Sequence, residues 1–279
     1  MWQHVSYNEF LPRVLGWNAM QLYSLRLKPE GYTEDYEPCN PGILNEFATA
    51  AFRFGHSLIR RSFLRVDTGF GVMNQSVPLR NSFFNPDMLY EIKMVDELVR
   101  GLISTPMETL DNYITDEITN HLFEDSNIPF SGLDLAALNI QRARDHGLRP
   151  YNEYRAICNL KRARTFEDFS REIKPELIDR LRRVYRNVDD VDLFTGGLCE
   201  TPLQGGIIGP TFGCIIGLQF QFLKRCDRFW YETNDAAIRF TEQQLAEIRK
   251  TTMASLICKN CDIAEKVQLG VFDIAHNFL

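Results

Sequence analysis

Helical periodicity extends over most of this 279-residue chain and restricts the folds that it can adopt. Apolar side chains recur three and four residues apart, the spacing that places them on one face of an α-helix, whereas segments suited to strands are short. With 44% hydrophobic residues and no obvious linker, the chain can bury a substantial core. We therefore expect a mainly α, multi-helix fold that forms a single domain over residues 1–279. Helices are predicted at residues 7–15, 43–61, 86–102, 110–122, 133–146, 151–158, 165–173, 175–185, 209–223 and 241–255.

The predicted helix over residues 43–61 contains the sequence FRFGHSLI and carries His56 on an apolar face. Gly55 lies beside it, and a glycine within a helix costs about 1 kcal/mol relative to alanine, which suggests that a group such as a flat macrocycle packs close to the backbone. A histidine on such a face is more commonly a core residue with one satisfied hydrogen bond. The stripe that includes His56 consists of Ala48, Ala51, Phe52, Gly55, His56 and Ile59.

A second segment, LNIQRARDHGLRPYNEYR at residues 138–155, favours a ligand role for His56 over that of a core residue. Asn139 is predicted to lie on a largely buried face of a helix that ends at Gly147, a favourable residue just beyond a helix C-terminus. The buried amide needs partners, and its oxygen is suited to accept the Nδ1 proton of an imidazole whose Nε2 binds a metal. Its helix face consists of Leu135, Asn139, Arg142 and His146.

Both segments resemble the animal haem peroxidase superfamily, which includes myeloperoxidase, peroxidasin, peroxinectin and the arthropod chorion peroxidases. The sequences of these segments are most similar to those of the invertebrate branch of the family. Residues 260–279 form an atypical tail that lies outside the resemblance. The matching segments, in the family's order, are YNEFLPRVLG, FATAAFRFGH, LAALNIQRARDHG, DLFTGGL, IIGPTFGCIIGLQF, DRFWYE and LIC.

The resemblance implies a haem b cofactor and roles for four polar residues of the two segments. By it, His56 is the axial ligand of the haem iron, and Asn139 is its hydrogen-bond partner. Arg53 and Arg142 are implied to contact the haem propionates, and each could reach a propionate from its own helix. The implied reaction reduces hydrogen peroxide and oxidises a small-molecule or tyrosine-type donor.

The resemblance also implies that part of the site lies outside this chain. In the family, the distal histidine, glutamine and arginine, the carboxylates that form ester bonds to haem, and the calcium loop precede the YNEFLP motif, which here begins at Tyr7. We therefore expect a domain truncated on its N-terminal, distal side, as a fragment, an isoform or the product of a mispredicted gene start. His4 matches a family position outside the distal site. His121 and His276 show no partner pattern, and we expect them to be structural.

The resemblance implies an extracellular location. The first twenty residues include Glu9 and Arg13 and lack the continuous apolar stretch of a secretory signal. An N-glycosylation sequon at residues 74–76 is compatible with a surface loop of a secreted protein.

The alternative function is that of a catalytically inactive peroxidase-like domain that binds haem or serves as an adhesion or matrix module. The net charge of −6 argues against nucleic acid as a partner. Residues 204–223 contain no charged side chain and are nearly long enough to span a membrane, but Pro210, Gln219 and Gln221 argue against it. Their glycine spacing favours a closely packed central helix. No feature of the sequence indicates an oligomeric state.

Two disulfides are expected among the seven cysteines. The resemblance implies a family bridge between Cys158 and Cys214. Cys199 and Cys226 both replace residues common in the family, serine and glycine, which suggests an additional bridge between them.

The remaining cysteines leave alternatives open. The family partner of Cys258 lies near a C-terminus that this tail lacks, so that Cys261 or Cys39 could replace it. The spacing of Cys258 and Cys261 also occurs in zinc and thioredoxin-like sites, but a single CxxC without a second pair is a weak signal for either.

Overall fold

The computed structural model describes residues 1–125, 127–261 and 267–274, and it is mainly α-helical, as predicted. The chain divides into two compact units, Met1–Phe54 with Asn139–Thr251 and Gly55–Leu138 with Thr252–Leu279. A single domain over residues 1–279 stays a prediction. His276, expected to be structural, lies outside the described residues, as do parts of the atypical tail.

Helix α11 is the longest helix in the described part of the chain, and the two strands found there form a small antiparallel sheet. A π-helical turn, Ser6–Phe10, lies between the first two helices, and β1 (Ser62–Phe63) pairs antiparallel with β2 (Val77–Pro78). The α-helices are α1 (Trp2–Val5), α2 (Leu11–Leu15), α3 (Trp17–Leu22), α4 (Asn45–Thr49), α5 (Met94–Ser104), α6 (Asp116–Thr119), α7 (Leu135–Asp145), α8 (Tyr151–Ile157), α9 (Pro175–Val184), α10 (Leu193–Cys199), α11 (Pro210–Cys226), α12 (Glu242–Arg249) and α13 (Met253–Asn260). The 3-10 helices are Ala51–Leu58, Leu79–Asn81, Asp87–Tyr90, Phe166–Arg171 and Val188–Asp190.

Helix α11 packs closely against its neighbours in the first unit, as its glycine spacing predicted. A Cβ atom added at Gly217 would lie 2.3 Å from the ring of Tyr23, and one added at Gly213 would lie 2.7 Å from Leu203. Glycine at these positions therefore allows the helix backbone to approach its neighbours closely. Among the described residues, no helix has both the length and the apolar character needed to cross a membrane.

A buried polar network fixes the start of α11. Oε2 of Glu200 accepts a hydrogen bond from the Thr211 backbone amide at 2.8 Å, and Oε1 accepts one from the Tyr151 hydroxyl at 2.7 Å. Arg155, 1% exposed, donates to the same tyrosine at 3.2 Å and pairs with Glu172 at 2.8 Å. Burial raises the pKa of Glu200 to about 7, despite the hydrogen bonds that favour its charged form. The network therefore couples α8, α11 and the segment that follows α10.

The second unit has a smaller apolar cluster, in which Leu79, Ile118 and Leu122 are buried. Beside it, Arg80 donates two side-chain hydrogen bonds to Glu117, at 2.8 and 2.6 Å. These bonds are the main reason that the pKa of Glu117 is lowered to about 2. The pair thus links α6 to the 3-10 helix that follows β2.

One predicted disulfide is confirmed and the other is wrong. Cys158 is bonded to Cys214, which ties α8 to α11. Cys226 is bonded to Cys39 instead of Cys199, which is buried and free. The sequence could not exclude this pairing, because cysteine positions alone do not determine connectivity.

The Cys39–Cys226 bridge also excludes Cys39 as a disulfide partner of Cys258. Cys39 is not available as its partner, and Cys258 and Cys261 are both free thiols at the end of α13.

Two predicted helices of the second unit are shorter than expected. The helix predicted over residues 86–102 is interrupted at Lys93, whose φ of +70° lies in the left-handed region, so that α5 begins only at Met94. The helix predicted over residues 110–122 is reduced to α6, which Thr115 caps.

Candidate functional site

Asn139 is fully buried on α7, as predicted. The rest of the predicted buried face is wrong, because Arg142 and His146 are exposed and Ala143 is the other buried residue of this helix. The helix ends as expected at Gly147, whose φ is +66°. The Gly147 amide donates to the Arg144 carbonyl and the Leu148 amide donates to the Ala143 carbonyl, both at 3.0 Å. This pair of bonds is the Schellman arrangement, which ends a helix at a left-handed residue. The position of Asn139 is therefore held by a well-defined helix.

The structure brings Arg53 and Asn139 together within the first unit. Nη1 of Arg53 donates a hydrogen bond to Oδ1 of Asn139 at 2.9 Å, and its Nε donates to the Ala48 carbonyl at 3.0 Å. Hydrogen bonds from a charged donor are stronger than neutral ones, so the buried amide and the half-buried guanidinium orient each other. The family resemblance implies that both residues belong to one site, but no local sequence signal predicts the bond between them.

Arg142 supplies a second positive charge to the same region. Burial, and then the charge of Arg142, lowers the pKa of Arg53. The side chain of Arg142 is 53% exposed and lies 3.4 Å from Asp145, a distance that leaves only a weak surface ion pair. Two neighbouring guanidinium groups, one of them partly desolvated, favour an anionic group between them. A carboxylate has the charge and the acceptor geometry that suit such a pair.

His56 lies in the second unit, near the end of the 3-10 helix Ala51–Leu58, and is half-buried. The predicted α-helical stripe is wrong, because the backbone of Ala50 leaves the α region and the chain continues with three residues per turn. The buried positions accordingly recur every third residue, at Ala51, Phe54 and Ser57, whereas Phe52 is 39% exposed. The imidazole of His56 therefore lies beside the buried face rather than on it.

Ser57 holds the His56 segment within the second unit. Its hydroxyl donates to the Asp111 carbonyl at 2.7 Å and accepts from the Asp111 amide at 3.0 Å. This reciprocal pair fixes the backbone one residue after His56.

The space beside Gly55 is open. A Cβ atom added there would meet no heavy atom within 4 Å, and Gly55 lines a mostly apolar cavity of about 280 Å³ in the second unit. The expectation that a group packs against this glycine is therefore not met by the protein's own side chains. An exposed backbone surface of this kind fits a flat apolar ligand.

Two residues of the second segment, residues 138–155, contact partners that were not predicted from the sequence. Arg144 donates two hydrogen bonds to Asp192, at 2.9 and 2.7 Å. His146 contacts Asn45 through Nδ1 at 2.9 Å, and its carbonyl accepts a bond from the same side chain at 3.1 Å. These contacts join α7 to α10 and α4, and no local sequence signal specifies partners so distant in the chain.

Metal coordination by protein side chains alone has no support within residues 1–125, 127–261 and 267–274. No cluster of three or more histidine, cysteine, aspartate or glutamate side chains there is arranged to hold an ion.

Comparisons with known proteins identify relatives over nearly the whole chain. The family model for animal haem peroxidase matches residues 1–272. The human protein called peroxidasin homolog is 39% identical over 98% of this chain, which corresponds to 18% of the human protein. Chorion peroxidase of Drosophila melanogaster is 41% identical over 93% of this chain and 32% of its own length.

A solved structure shows the same fold. Peroxidase A of Dictyostelium discoideum superposes with a TM-score of 0.79 and 35% sequence identity, over 96% of this chain and 48% of that chain. The chain thus spans less than half of each of these three relatives.

Proposed function

Because the chain belongs to the animal haem peroxidase family, we propose that it is the haem-binding part of a peroxidase with His56 as the axial iron ligand. The whole protein would reduce hydrogen peroxide and oxidise a small-molecule or tyrosine-type donor. The cofactor would be haem b.

The arrangement of Arg53, Asn139 and Arg142 carries this proposal. A buried amide bonded to a partly desolvated guanidinium, with a second guanidinium nearby, suits the binding of an anionic edge of a ligand. In this assignment, Arg53 and Arg142 contact the propionates. Bound haem supplies a redox-active iron at which peroxide is cleaved.

Asn139 is proposed to orient the axial imidazole as well. An amide oxygen has two lone pairs, and one accepts the Arg53 bond. The proposal assigns the other to the Nδ1 proton of His56, which would leave Nε2 for the iron. A neutral amide is a weaker acceptor than a carboxylate, so the imidazole would stay less basic than one bonded to aspartate.

An extracellular location is part of the proposal. Two disulfides, Cys39–Cys226 and Cys158–Cys214, are typical of proteins that fold in an oxidising compartment. The sequon asparagine, Asn74, is exposed on a bend, where a glycan would meet no steric barrier from the fold.

Titration of the purified chain with haem tests the binding site. We expect one haem per chain with the absorption spectrum of a histidine-ligated haem. Asn139→Leu should weaken binding by about 10- to 100-fold, the range typical for residues that orient a metal ligand. Asn234→Leu is the matched control, because exposed Asn234 accepts a hydrogen bond from Arg239 at 2.8 Å and lies outside the site. A folded chain that binds no haem would contradict the proposal.

The native protein tests the reaction. Protein captured from its source with an antibody raised against this chain is expected to oxidise a phenolic donor only when hydrogen peroxide is supplied, and azide should inhibit the reaction. Captured protein that contains haem but shows no peroxide-dependent oxidation would refute the enzymatic role and favour an inactive haem-binding module.

A further inference from the structure

Tyr7, Trp230 and Tyr231 are readily oxidised side chains that lie in contact inside the first unit. The ring centroids of Tyr7 and Trp230 are 4.6 Å apart, and those of Trp230 and Tyr231 are 5.0 Å apart. Their exposed fractions are 4%, 2% and 4%. None of the three has a role in the proposed haem contacts. Rings at these distances are close enough for an electron to pass from one to the next, and the protein shields any radical among them from solvent.

Two phenylalanines extend this contact towards Arg53. The ring centroid of Phe220, on α11, lies 5.7 Å from that of Tyr7 and 5.9 Å from that of Phe52. Phe52 is 39% exposed and immediately precedes Arg53 in the chain. The series therefore begins beside a proposed haem contact and ends deep in the first unit. We call it the aromatic series, and its members are Phe52, Phe220, Tyr7, Trp230 and Tyr231.

A base lies at the buried end of the aromatic series. Nδ1 of His4 is 3.0 Å from the Tyr231 hydroxyl oxygen, and the His4 side chain is 5% exposed. Burial lowers the pKa of His4, so its imidazole is neutral near pH 7 and one ring nitrogen can accept a proton. Removal of an electron from a phenol makes its hydroxyl strongly acidic. A buried tyrosine can therefore be oxidised only where a base receives the proton, and His4 meets that condition.

A buried carboxylate stabilises the charge that His4 would gain. Oε1 of Glu232 is a second acceptor for the Tyr231 hydroxyl, at 3.3 Å against 3.0 Å for Nδ1 of His4, and Glu232 is 0% exposed. Its negative charge raises the pKa of His4, in opposition to burial. Arg249 pairs with Glu232 at 3.1 Å.

Aromatic contacts alone are common in protein cores. This series differs because three of its neighbouring rings, Tyr7, Trp230 and Tyr231, are readily oxidised. It also has a hydrogen-bonded base at one end and a proposed haem contact at the other.

We propose that Tyr231 and His4 form a redox-active tyrosine site, which is oxidised by one electron through the aromatic series. The electron leaves the phenol and reduces the oxidant, while the phenolic proton moves to Nδ1 of His4, which gives a neutral tyrosyl radical and an imidazolium. The site rests on the proposed function, because its oxidant is the haem after reaction with hydrogen peroxide. It would hold an oxidising equivalent inside the protein, away from the haem.

Photo-oxidation tests the site without haem, so its failure is distinguishable from failure of the proposed function. A ruthenium polypyridyl complex is attached through Arg53→Cys in a full-length chain that also carries Cys258→Ser and Cys261→Ser, which remove the two accessible thiols. A flash in the presence of persulfate converts the complex to a one-electron oxidant. We expect a long-lived tyrosyl radical by electron paramagnetic resonance, and we expect its loss in Tyr231→Phe.

Three further variants complete the test. Tyr36→Phe, which alters an exposed tyrosine of the same unit, should retain the radical. Trp230→Phe should slow its formation, because the replacement keeps a packed ring but removes an oxidisable one. His4→Gln should also slow it, since an amide does not accept the proton. An unchanged long-lived radical in folded Tyr231→Phe overturns the proposal, and an unchanged rate in His4→Gln overturns the role of His4.

Discussion

Replacement of His56 by alanine is expected to abolish the absorption spectrum of ligated haem in the purified chain. The imidazole is the proposed source of the bond to iron, and alanine offers no lone pair in its place. A pocket without the axial ligand would keep only the propionate contacts, and these do not fix the iron. Absorption spectra of haem-titrated wild type and variant at equal concentration measure the loss.

His121→Ala is the matched control for this experiment. His121 lies in the same unit, is half-buried and contacts Glu124 through Nδ1 at 2.5 Å, so its removal also deletes a half-buried imidazole and one contact. It should leave the haem spectrum unchanged. Added imidazole should restore the spectrum to His56→Gly, because a small ligand can occupy the space left by the side chain. An unchanged spectrum in His56→Ala would assign the iron to another residue.

Local sequence signals determined the parts of the site that lie on regular helices. Gly147 was sufficient to predict where α7 ends, because this signal depends on residues within a few positions. The predicted buried face of α7 was right at Asn139 but wrong at Arg142 and His146, which are exposed. The close packing of α11 followed in the same way from its glycine spacing.

The details that the sequence did not reveal depend on geometry between distant segments. The shift from α to 3-10 geometry at residues 50–58 placed His56 beside the buried face, and the apolar pattern fits either helix type over so short a stretch. The Arg53–Asn139 bond joins residues 86 positions apart, and the Cys39–Cys226 bridge joins residues 187 apart. A bond of this kind becomes visible only when the fold brings both partners together.

Family resemblance and residue chemistry contributed differently to the site. The resemblance assigned roles to His56, Asn139, Arg53 and Arg142. The structure adds a physical reason for grouping three of them, since the Asn139 amide orients Arg53 and the charge of Arg142 lowers the Arg53 pKa. The aromatic series had no such prior assignment. Its members were identified from the distances between their rings, because they come from segments that are far apart in the sequence.

Glu200→Gln is expected to remove a large pH dependence of stability from the first unit. Burial raises the pKa of Glu200 from its ordinary value near 4.5 to about 7. Between these two values the folded chain retains a proton that the unfolded chain has lost, so the free energy of unfolding falls as the pH rises. The stabilising contribution is complete below pH 4.5 and is lost as the pH rises through about 7. A shift of this size corresponds to roughly 3 kcal/mol.

Urea unfolding of wild type and Glu200→Gln at several pH values between 4 and 8 measures the difference between their free energies of unfolding. Glutamine keeps the shape of the Glu200 side chain and can still contact Tyr151 and Thr211, but it carries no charge in the buried network. The variant should therefore gain roughly 3 kcal/mol relative to wild type as the pH rises across this range. Glu247→Gln is the control, because Glu247 is an exposed partner of Lys250 on α12 and its loss changes stability little. Parallel pH profiles for wild type and Glu200→Gln would show that Glu200 does not titrate in this range, and that the hydrogen bonds from Thr211 and Tyr151 outweigh the cost of burying its charge.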